Sequence, residues 1–188
     1  MISRIRNVKD FWTGIIYVAV GSLFVFLARD YGMGTSLKMG PAYFPTVLSM
    51  LLIIIGIISL VRSFIEGYNA SDWGRLDAMV AKGYVHRAND AALTWDQSKR
   101  GAAWLRQGMP DFRLVIRDIV AEGDRVALRL EGRGTHHRSL FGEMPTGAEI
   151  VTHVQWICLF EDGMLAEDWE ASDEHDLRRQ VGVLPPDA

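Results

Sequence analysis

Four residues near the carboxyl end of the chain have side chains suited to acid–base chemistry. Asp168 and Glu170 lie two positions apart in the segment Glu167-Asp168-Trp169-Glu170, and His153 and Gln155 have the same spacing in an earlier segment. Side chains two positions apart share one face of a β-strand. Carboxylates beside an imidazole and an amide can take up and release protons, so we predict an acid–base site here.

A hairpin is predicted to bring the two segments together. Asp162-Gly163 separates two alternating runs, 149–160 and 164–172, and Asp-Gly is a strong signal for a two-residue turn. With that turn, the residue numbers of opposing pairs add up to 325. Trp156 then lies opposite Trp169 on one face, and the four polar residues lie together on the other.

Two interpretations of this polar face are open. Polar residues on a strand usually face solvent, which would make the cluster an ordinary exposed surface. A pocket is favoured because apolar residues are predicted on the same face, and a polar group beside an apolar surface is typical of a ligand site. These apolar residues are Val151, Ile157, Leu159, Met164 and Ala166.

The surrounding segments predict an α+β domain. Ser71 is a candidate N-cap for a helix ending near Lys82-Gly83, and Thr94 is a candidate N-cap for a helix over 95–107. Further on, 113–121 and 125–135 alternate around a glycine-containing turn, which predicts another hairpin. Helices followed by antiparallel hairpins favour the α+β class.

Two long uncharged stretches near the N-terminus predict membrane-spanning helices. Phe11–Ala28 contains 18 residues and 39–61 contains 23, whereas a span needs about 20. Residues 29–38 hold two glycines and three charges, typical of a turn. We expect a two-helix hairpin in the bilayer, and we expect it to be retained, because no cleavage site for a signal peptidase precedes Arg29.

Charge differs between the two parts of the chain. Residues 1–64 carry six Lys/Arg and two Asp/Glu, whereas 65–188 carry fourteen and twenty-one. The acidic balance of the second part argues against nucleic-acid binding. Basic residues at the outer ends of the spans outnumber those in the loop, which predicts an inner-membrane protein with its C-terminal domain in the cytoplasm. The flanking residues are Arg4, Arg6, Lys9 and Arg62, against Arg29 and Lys38.

The N-terminal part resembles the TctB family of small membrane subunits of tripartite tricarboxylate transporters. The resemblance covers about 5–66 and is carried by Asp10-Phe11-Trp12-Thr13-Gly14 and by Gly40-Pro41-Ala42-Tyr43-Phe44-Pro45. It implies a partnership with a large multi-span transporter subunit. Such subunits usually have four spans, and this chain has two before a different sequence begins.

The remainder, about 64–182, resembles the SnoaL-like polyketide cyclases. Eight segments carry the resemblance: Tyr68-Asn69-Ala70-Ser71-Asp72, Tyr84-Val85-His86, Met109-Pro110-Asp111-Phe112-Arg113, Ala121-Glu122-Gly123-Asp124-Arg125-Val126-Ala127, Gly134-Thr135-His136, Phe141-Gly142-Glu143-Met144-Pro145-Thr146-Gly147, Phe160-Glu161-Asp162-Gly163 and Glu167-Asp168-Trp169-Glu170. The resemblance implies a nuclear-transport-factor-like cone, in which a bent, mostly antiparallel sheet and helices enclose a pocket. We therefore divide the chain into a membrane hairpin, 1–64, and a cone domain, 65–188.

The resemblance also implies catalytic positions. Family members close a polyketide ring by an aldol reaction without a cofactor, and their last-strand motif reads like Glu-His-Trp-Asp. Glu170 takes the position of the acid/base aspartate, and Asp168 replaces the histidine. Either the two carboxylates share a proton, or the cyclase site has been lost. His86 and His136 match pocket-facing positions and are candidate proton donors. His153, Gln155, Trp169 and Trp104 are assigned to substrate binding.

Three functions are open on the sequence alone. The first is a membrane-tethered cyclase or isomerase acting on a small hydrophobic or carbonyl-containing ligand, and the second is a binding module without turnover. The third is an accessory subunit of a tricarboxylate transporter. We expect no cofactor and no metal site, because metal-ligand spacings and phosphate-binding motifs are absent from the sequence. A homodimer through the sheet, with Trp156 and Trp169 at its surface, is also predicted.

Overall fold

The computed structural model describes residues 3–34, 38–89 and 91–185, with side chains described from Phe11 onward. The basic residues Arg4, Arg6 and Lys9, used above to predict orientation, therefore have side chains outside the described part. The helices are α1 (Ser3–Ala28), α2 (Tyr43–Ala70), α3 (Trp73–Asp77), α4 (Trp95–Gly108) and α5 (Glu174–Val181). The strands are β1 (Val80–Ala88), β2 (Ala91–Leu93), β3 (Arg113–Glu122), β4 (Arg125–Thr135), β5 (Glu149–Glu161) and β6 (Met164–Ser172).

The six strands form one mixed sheet in the order β2-β1-β6-β5-β4-β3. Strands β3 to β6 are antiparallel neighbours, joined by the two predicted hairpins, and β1 lies parallel to β6. Helix α4 begins where predicted, because Thr94 and Gln97 form a reciprocal capping box at its start. The α+β fold class is confirmed.

Helix α2 is longer than the sequence predicts. It continues without a break to Ala70, and Ser71 is its left-handed C-cap rather than the start of a new helix. Only one short turn of helix, α3, follows, and Val80 already opens β1. The predicted helix from Ser71 to Lys82-Gly83 is therefore wrong, because the backbone turns at the cap and then extends.

The C-terminal half of α2 is part of the core of the cone. Ile57, Leu60, Val61, Phe64 and Ile65 are buried in a cluster that also contains apolar residues of β4, β5 and β6. Burial of each such side chain contributes about 1.5–3 kcal/mol. Residues 43–56, which precede this buried part, form a helix about 21 Å long.

Helices α1 and α2 pack side by side as an antiparallel pair. Small residues allow the close approach: a Cβ atom at Gly14 would lie 2.9 Å from the Gly56 carbonyl oxygen, and one at Gly21 would lie 2.8 Å from the Ser49 carbonyl oxygen. Large apolar side chains on the outer surface remain exposed, among them Trp12, Phe24, Phe44 and Leu51. By length and composition, Phe11–Ala28 and α2 could each cross a membrane.

A β-bulge changes the register of the last hairpin. Glu161 pairs with Met164 and Phe160 with Leu165, as predicted, but Leu159 pairs with Glu167, so Ala166 is an extra residue on β6. Beyond the bulge every side chain of β6 points to the other face relative to the prediction.

The shift overturns the predicted cross-strand pair. Trp156 lies opposite Glu170, and Trp169 lies opposite Ile157. Trp156 is buried, with 8% of its surface exposed, so it cannot form part of an outer dimer surface. Dimerisation through the sheet stays a prediction, without Trp156.

Candidate active site

A cavity of about 380 Å³ lies between the sheet and helices α2, α3 and α4. Its volume falls in the range of small-molecule sites. Most of the wall is apolar and aromatic, and a few polar groups converge at the β1–β6 side. The aromatic lining residues are Phe64, Tyr68, Trp73, Tyr84, Trp95, Trp104, Phe112 and Trp156.

Asp168 is the central polar group of this cavity. Its side chain is fully buried, and both carboxylate oxygens have partners. The Tyr84 hydroxyl donates a hydrogen bond to Oδ2 at 2.5 Å, and His86 Nδ1 lies 2.5 Å from Oδ1. The parallel pairing of β1 with β6 sets this geometry, because it places His86 directly beside Asp168.

His86 is held between two carboxylates. Its Nδ1 faces Asp168, and its Nε2 lies 3.7 Å from Oε2 of Glu170. Burial alone would lower the pKa of His86, but the hydrogen bond and charge of Asp168, with the charge of Glu170, raise this pKa above its ordinary value of 6.5. The arrangement therefore favours a protonated imidazole with Nδ1–H directed at Asp168.

Glu170 faces the cavity from the next inward position of β6. Burial raises the pKa of Glu170 above its ordinary value of 4.5, and the charge of Asp168 acts in the same direction. The charge of His86 and a hydrogen bond from Ser172 act in the opposite direction. A carboxylate of this kind is a stronger base than an exposed glutamate, as general-base catalysis requires.

The structure brings four of the eight predicted site residues together. Glu170, Asp168, His86 and Trp104 line the cavity. Glu170 and Asp168 are there because the bulge turns them inward, to the face of Trp156 and not to that of Gln155.

The other four predicted site residues lie elsewhere. His153 and Gln155 are exposed, because the alternation of β5 directs Val154 and Trp156 inward. Trp169 is on the outer face as well, where the Arg125 guanidinium lies 5.9 Å from its ring. His136 is fully buried but does not line the cavity; its Nδ1 lies 3.2 Å from the Thr146 hydroxyl oxygen. The described residues contain no group of three His, Cys, Asp or Glu that could hold a metal ion.

Sequence reasoning missed Tyr84, which donates to Asp168, and Trp95, which contacts three other lining rings. A signal for Tyr84 was present. It lies two positions before His86, so a strand assignment for this segment would have placed both on one face. Tyr84-Val85-His86 supports the family resemblance, but without a strand prediction for this segment the spacing does not by itself identify Tyr84 as a partner of the site.

Comparison with known proteins identifies the family of this domain. The model of the SnoaL-like polyketide cyclases matches residues 58–181, which is about two thirds of the chain. The chain belongs to this family. The matched region of the SnoaL-like domain begins inside α2, at the first residues of the helix that enter the core.

Solved structures support the assignment of the SnoaL-like fold. AclR from Streptomyces galilaeus, a candidate hydroxylase, is 26% identical with a TM-score of 0.66, covering 70% of this chain and 84% of its own. IdmH from Streptomyces antibioticus, a candidate polyketide cyclase, is 25% identical with a TM-score of 0.62, covering 67% and 98%. TsrD from Streptomyces laurentii is 26% identical with a TM-score of 0.60, covering 68% and 96%.

One curated relative is similar over a shorter stretch. An uncharacterized 16.3 kDa protein from the TAR-I ttuC' 3' region of Agrobacterium vitis is 36% identical over 64 residues. The matched stretch is 34% of this chain, and the chain spans only 41% of the relative's length.

Proposed function

We propose that the SnoaL-like domain catalyses cofactor-independent acid–base chemistry on a carbonyl compound, of the cyclase or isomerase type. The observation that carries this proposal is the imidazole of His86, placed between the buried Asp168 and Glu170 at one wall of an apolar cavity. A base with a raised pKa beside a cationic donor is the pair that enolisation requires.

Each group has a distinct part in the proposed reaction. Glu170 removes a proton from the carbon next to the carbonyl, and the C–H electron pair becomes the enolate. His86 donates its Nε2 proton to the enolate oxygen. The enol then returns its oxygen proton to His86 Nε2 as its carbon either takes a proton back from Glu170 or attacks a second carbonyl of the same ligand. In the second case the proton held by Glu170 passes to the oxygen of that second carbonyl, so no redox partner is needed. Asp168 is a positioning residue, because both of its oxygens are occupied by Tyr84 and His86.

Exchange of α-hydrogens with solvent tests this proposal directly. Full-length protein in detergent is incubated with phenylacetone in D₂O, and deuterium incorporation is followed by NMR. We expect exchange above the buffer rate, and a fall of about a hundredfold or more in Glu170→Gln and in His86→Gln. His175→Gln, an exposed histidine on α5, is the matched control and keeps the rate. Full exchange activity in Glu170→Gln would overturn the proposal.

A second candidate function is an accessory membrane subunit with a non-catalytic ligand-binding domain. It is favoured by the TctB-like segments within 5–66 and by the exposed apolar surface of α1 and α2. It predicts that the chain co-purifies with a large transporter subunit after gentle detergent extraction. Exchange at the buffer rate in wild-type protein, together with such a complex, would favour this candidate over the first.

We further propose that the α1–α2 pair anchors the domain in the inner membrane, with the domain in the cytoplasm. The support is the exposed apolar side chains of both helices and the excess of basic residues at their outer ends, four against two at their connection. Carbonate-washed membranes should retain the full chain, and protease should reach the domain from the cytoplasmic side alone. A soluble chain would contradict the anchor.

A further inference from the structure

Acidic side chains outnumber basic ones on the cavity wall. Among the described residues that line it, the ionisable side chains besides tyrosine are His86, Asp168, Glu170 and Glu174, and none is a lysine or arginine. Glu174 is already paired, with Arg178 Nη2 at 2.5 Å. Two carboxylates therefore share a single imidazole at the inner end of the cavity.

The negative charge of Glu170 is stabilised by fewer and more distant partners than that of Asp168. Asp168 has a tyrosine donor and an imidazole, both at 2.5 Å, whereas Glu170 lies 3.7 Å from the same imidazole. Because burial raises the pKa of Glu170, its anionic form lacks part of the stabilisation it would have in water. A positive charge on a bound ligand would supply that stabilisation.

A cluster of aromatic rings lines the same cavity as Glu170. Trp95 contacts Phe64, Trp73 and Tyr84 at centroid distances of 6.0, 6.3 and 5.7 Å, and the ring planes are inclined by 54° to 87°. Ring faces carry negative potential and attract cations. Two cationic side chains outside the cavity wall lie over rings of this lining: the Arg106 guanidinium is 4.4 Å from the centroid of Tyr68, and Lys99 Nζ is 5.5 Å from that of Trp95.

We propose that the ligand of this cavity carries a positively charged nitrogen, bound between the rings around Trp95 and the carboxylate of Glu170. The inference rests on the proposed function, since it names the substrate class of the same site: carbonyl compounds that also bear an amine or quaternary ammonium group. The inference also argues against tricarboxylates as ligands of this cavity, because an anion there would meet two carboxylates and no lining arginine or lysine.

Three probes of one shape and different charge test this inference. They are choline, its neutral isostere with tert-butyl in place of trimethylammonium, and the tert-butylacetate anion. Binding to full-length protein in detergent is followed by tryptophan fluorescence, since four tryptophans line the cavity. We expect choline to bind about tenfold tighter than the neutral alcohol, and the anion to bind weakest. Equal or tighter binding of the alcohol, or tightest binding of the anion, would overturn the inference.

Two variants assign the effect to Glu170. Glu170→Gln should remove most of the preference for choline over the alcohol while the affinity for the alcohol is kept. Glu161→Gln makes the same change at an exposed end of β5 and should keep the preference. An unchanged preference in Glu170→Gln would also overturn the inference.

The binding experiment can fail independently of the exchange experiment that tests the proposed function. Loss of charge preference together with active phenylacetone exchange would refute the cationic ligand alone. Clear preference for choline in a protein without exchange activity would support the cationic ligand and refute the catalytic proposal.

Discussion

Replacing Tyr84 by phenylalanine tests the hydrogen-bond network on which the site depends. The substitution removes one hydroxyl, which donates to Asp168 Oδ2 at 2.5 Å. The ring can stay in place against Trp95, where the two planes are inclined by 87°. Burial, and next the charge of Asp168, raise the pKa of Tyr84 well above its ordinary value, so the hydroxyl is protonated and donates throughout the physiological range.

The expected loss can be worked out from the burial of both partners. Asp168 is fully buried and Tyr84 is 6% exposed, so water cannot replace the missing donor. A hydrogen bond to a charged group contributes about 1.5–3 kcal/mol. For a chain of 188 residues, a loss of about 2 kcal/mol lowers the unfolding temperature by about 4–8 °C.

Thermal unfolding of the full chain in one detergent, monitored by intrinsic fluorescence, measures this loss. Tyr31→Phe is the matched control, because that tyrosine is 63% exposed and should unfold at the wild-type temperature. In the double variant with Asp168→Asn, the two losses should fall short of additivity, as expected for groups in direct contact. An unfolding temperature within about 1 °C of wild type for Tyr84→Phe would refute the assigned role of the hydroxyl.

Three further predictions follow from the same structure. Asp168→Asn should bring the pKa of His86 from above 6.5 to below it, because burial, the largest influence, still lowers this pKa while only the smaller effect of the Glu170 charge still raises it. NMR titration measures this pKa, and a value still above 6.5 would contradict the prediction. The free energy of unfolding of the wild-type protein should fall as pH rises from 6.5 through the raised pKa of His86, since the folded chain binds the His86 proton more tightly than the unfolded chain does. Denaturant titrations at several pH values measure this dependence, which should be flatter in His86→Gln. Gly56→Ala should destabilise by about 1 kcal/mol or more, because its Cβ would lie 2.8 Å from the Gly14 carbonyl oxygen; Gly74→Ala, with open space around it, should not.

Elements fixed by local chemistry could be predicted from the sequence. The capping pair Thr94 and Gln97 marks the start of α4, and Asp162-Gly163 adopts the positive φ angles of the predicted turn, 50° and 77°. The end of α2 was not predicted, because Ser71 is a common residue at N-caps and here serves as a left-handed C-cap.

The candidate site was partly predictable, and the reason for the misses is geometric. Asp168 and Glu170 were identified by residue type and spacing, but the partners assigned to them were wrong, because no local pattern signals the extra residue Ala166. Tyr84 and His86 reach Asp168 through a parallel pairing of β1 with β6, across more than 80 positions of sequence. Such a contact depends on the folded topology and not on the neighbouring residues.

The continuity of α2 has a consequence for how the two parts of the chain can be combined. The same helix packs against α1 as far as Leu60 and enters the core of the cone from Ile57, so the two contacts overlap and no flexible joint separates them. In an α-helix each residue adds about 100° of rotation and about 1.5 Å of rise. One residue inserted at this junction would rotate α1 by about 100° around the axis of α2, relative to the cone. The direction in which the apolar pair leaves the cone is thus set by residue count, and only insertions that complete whole turns would preserve it.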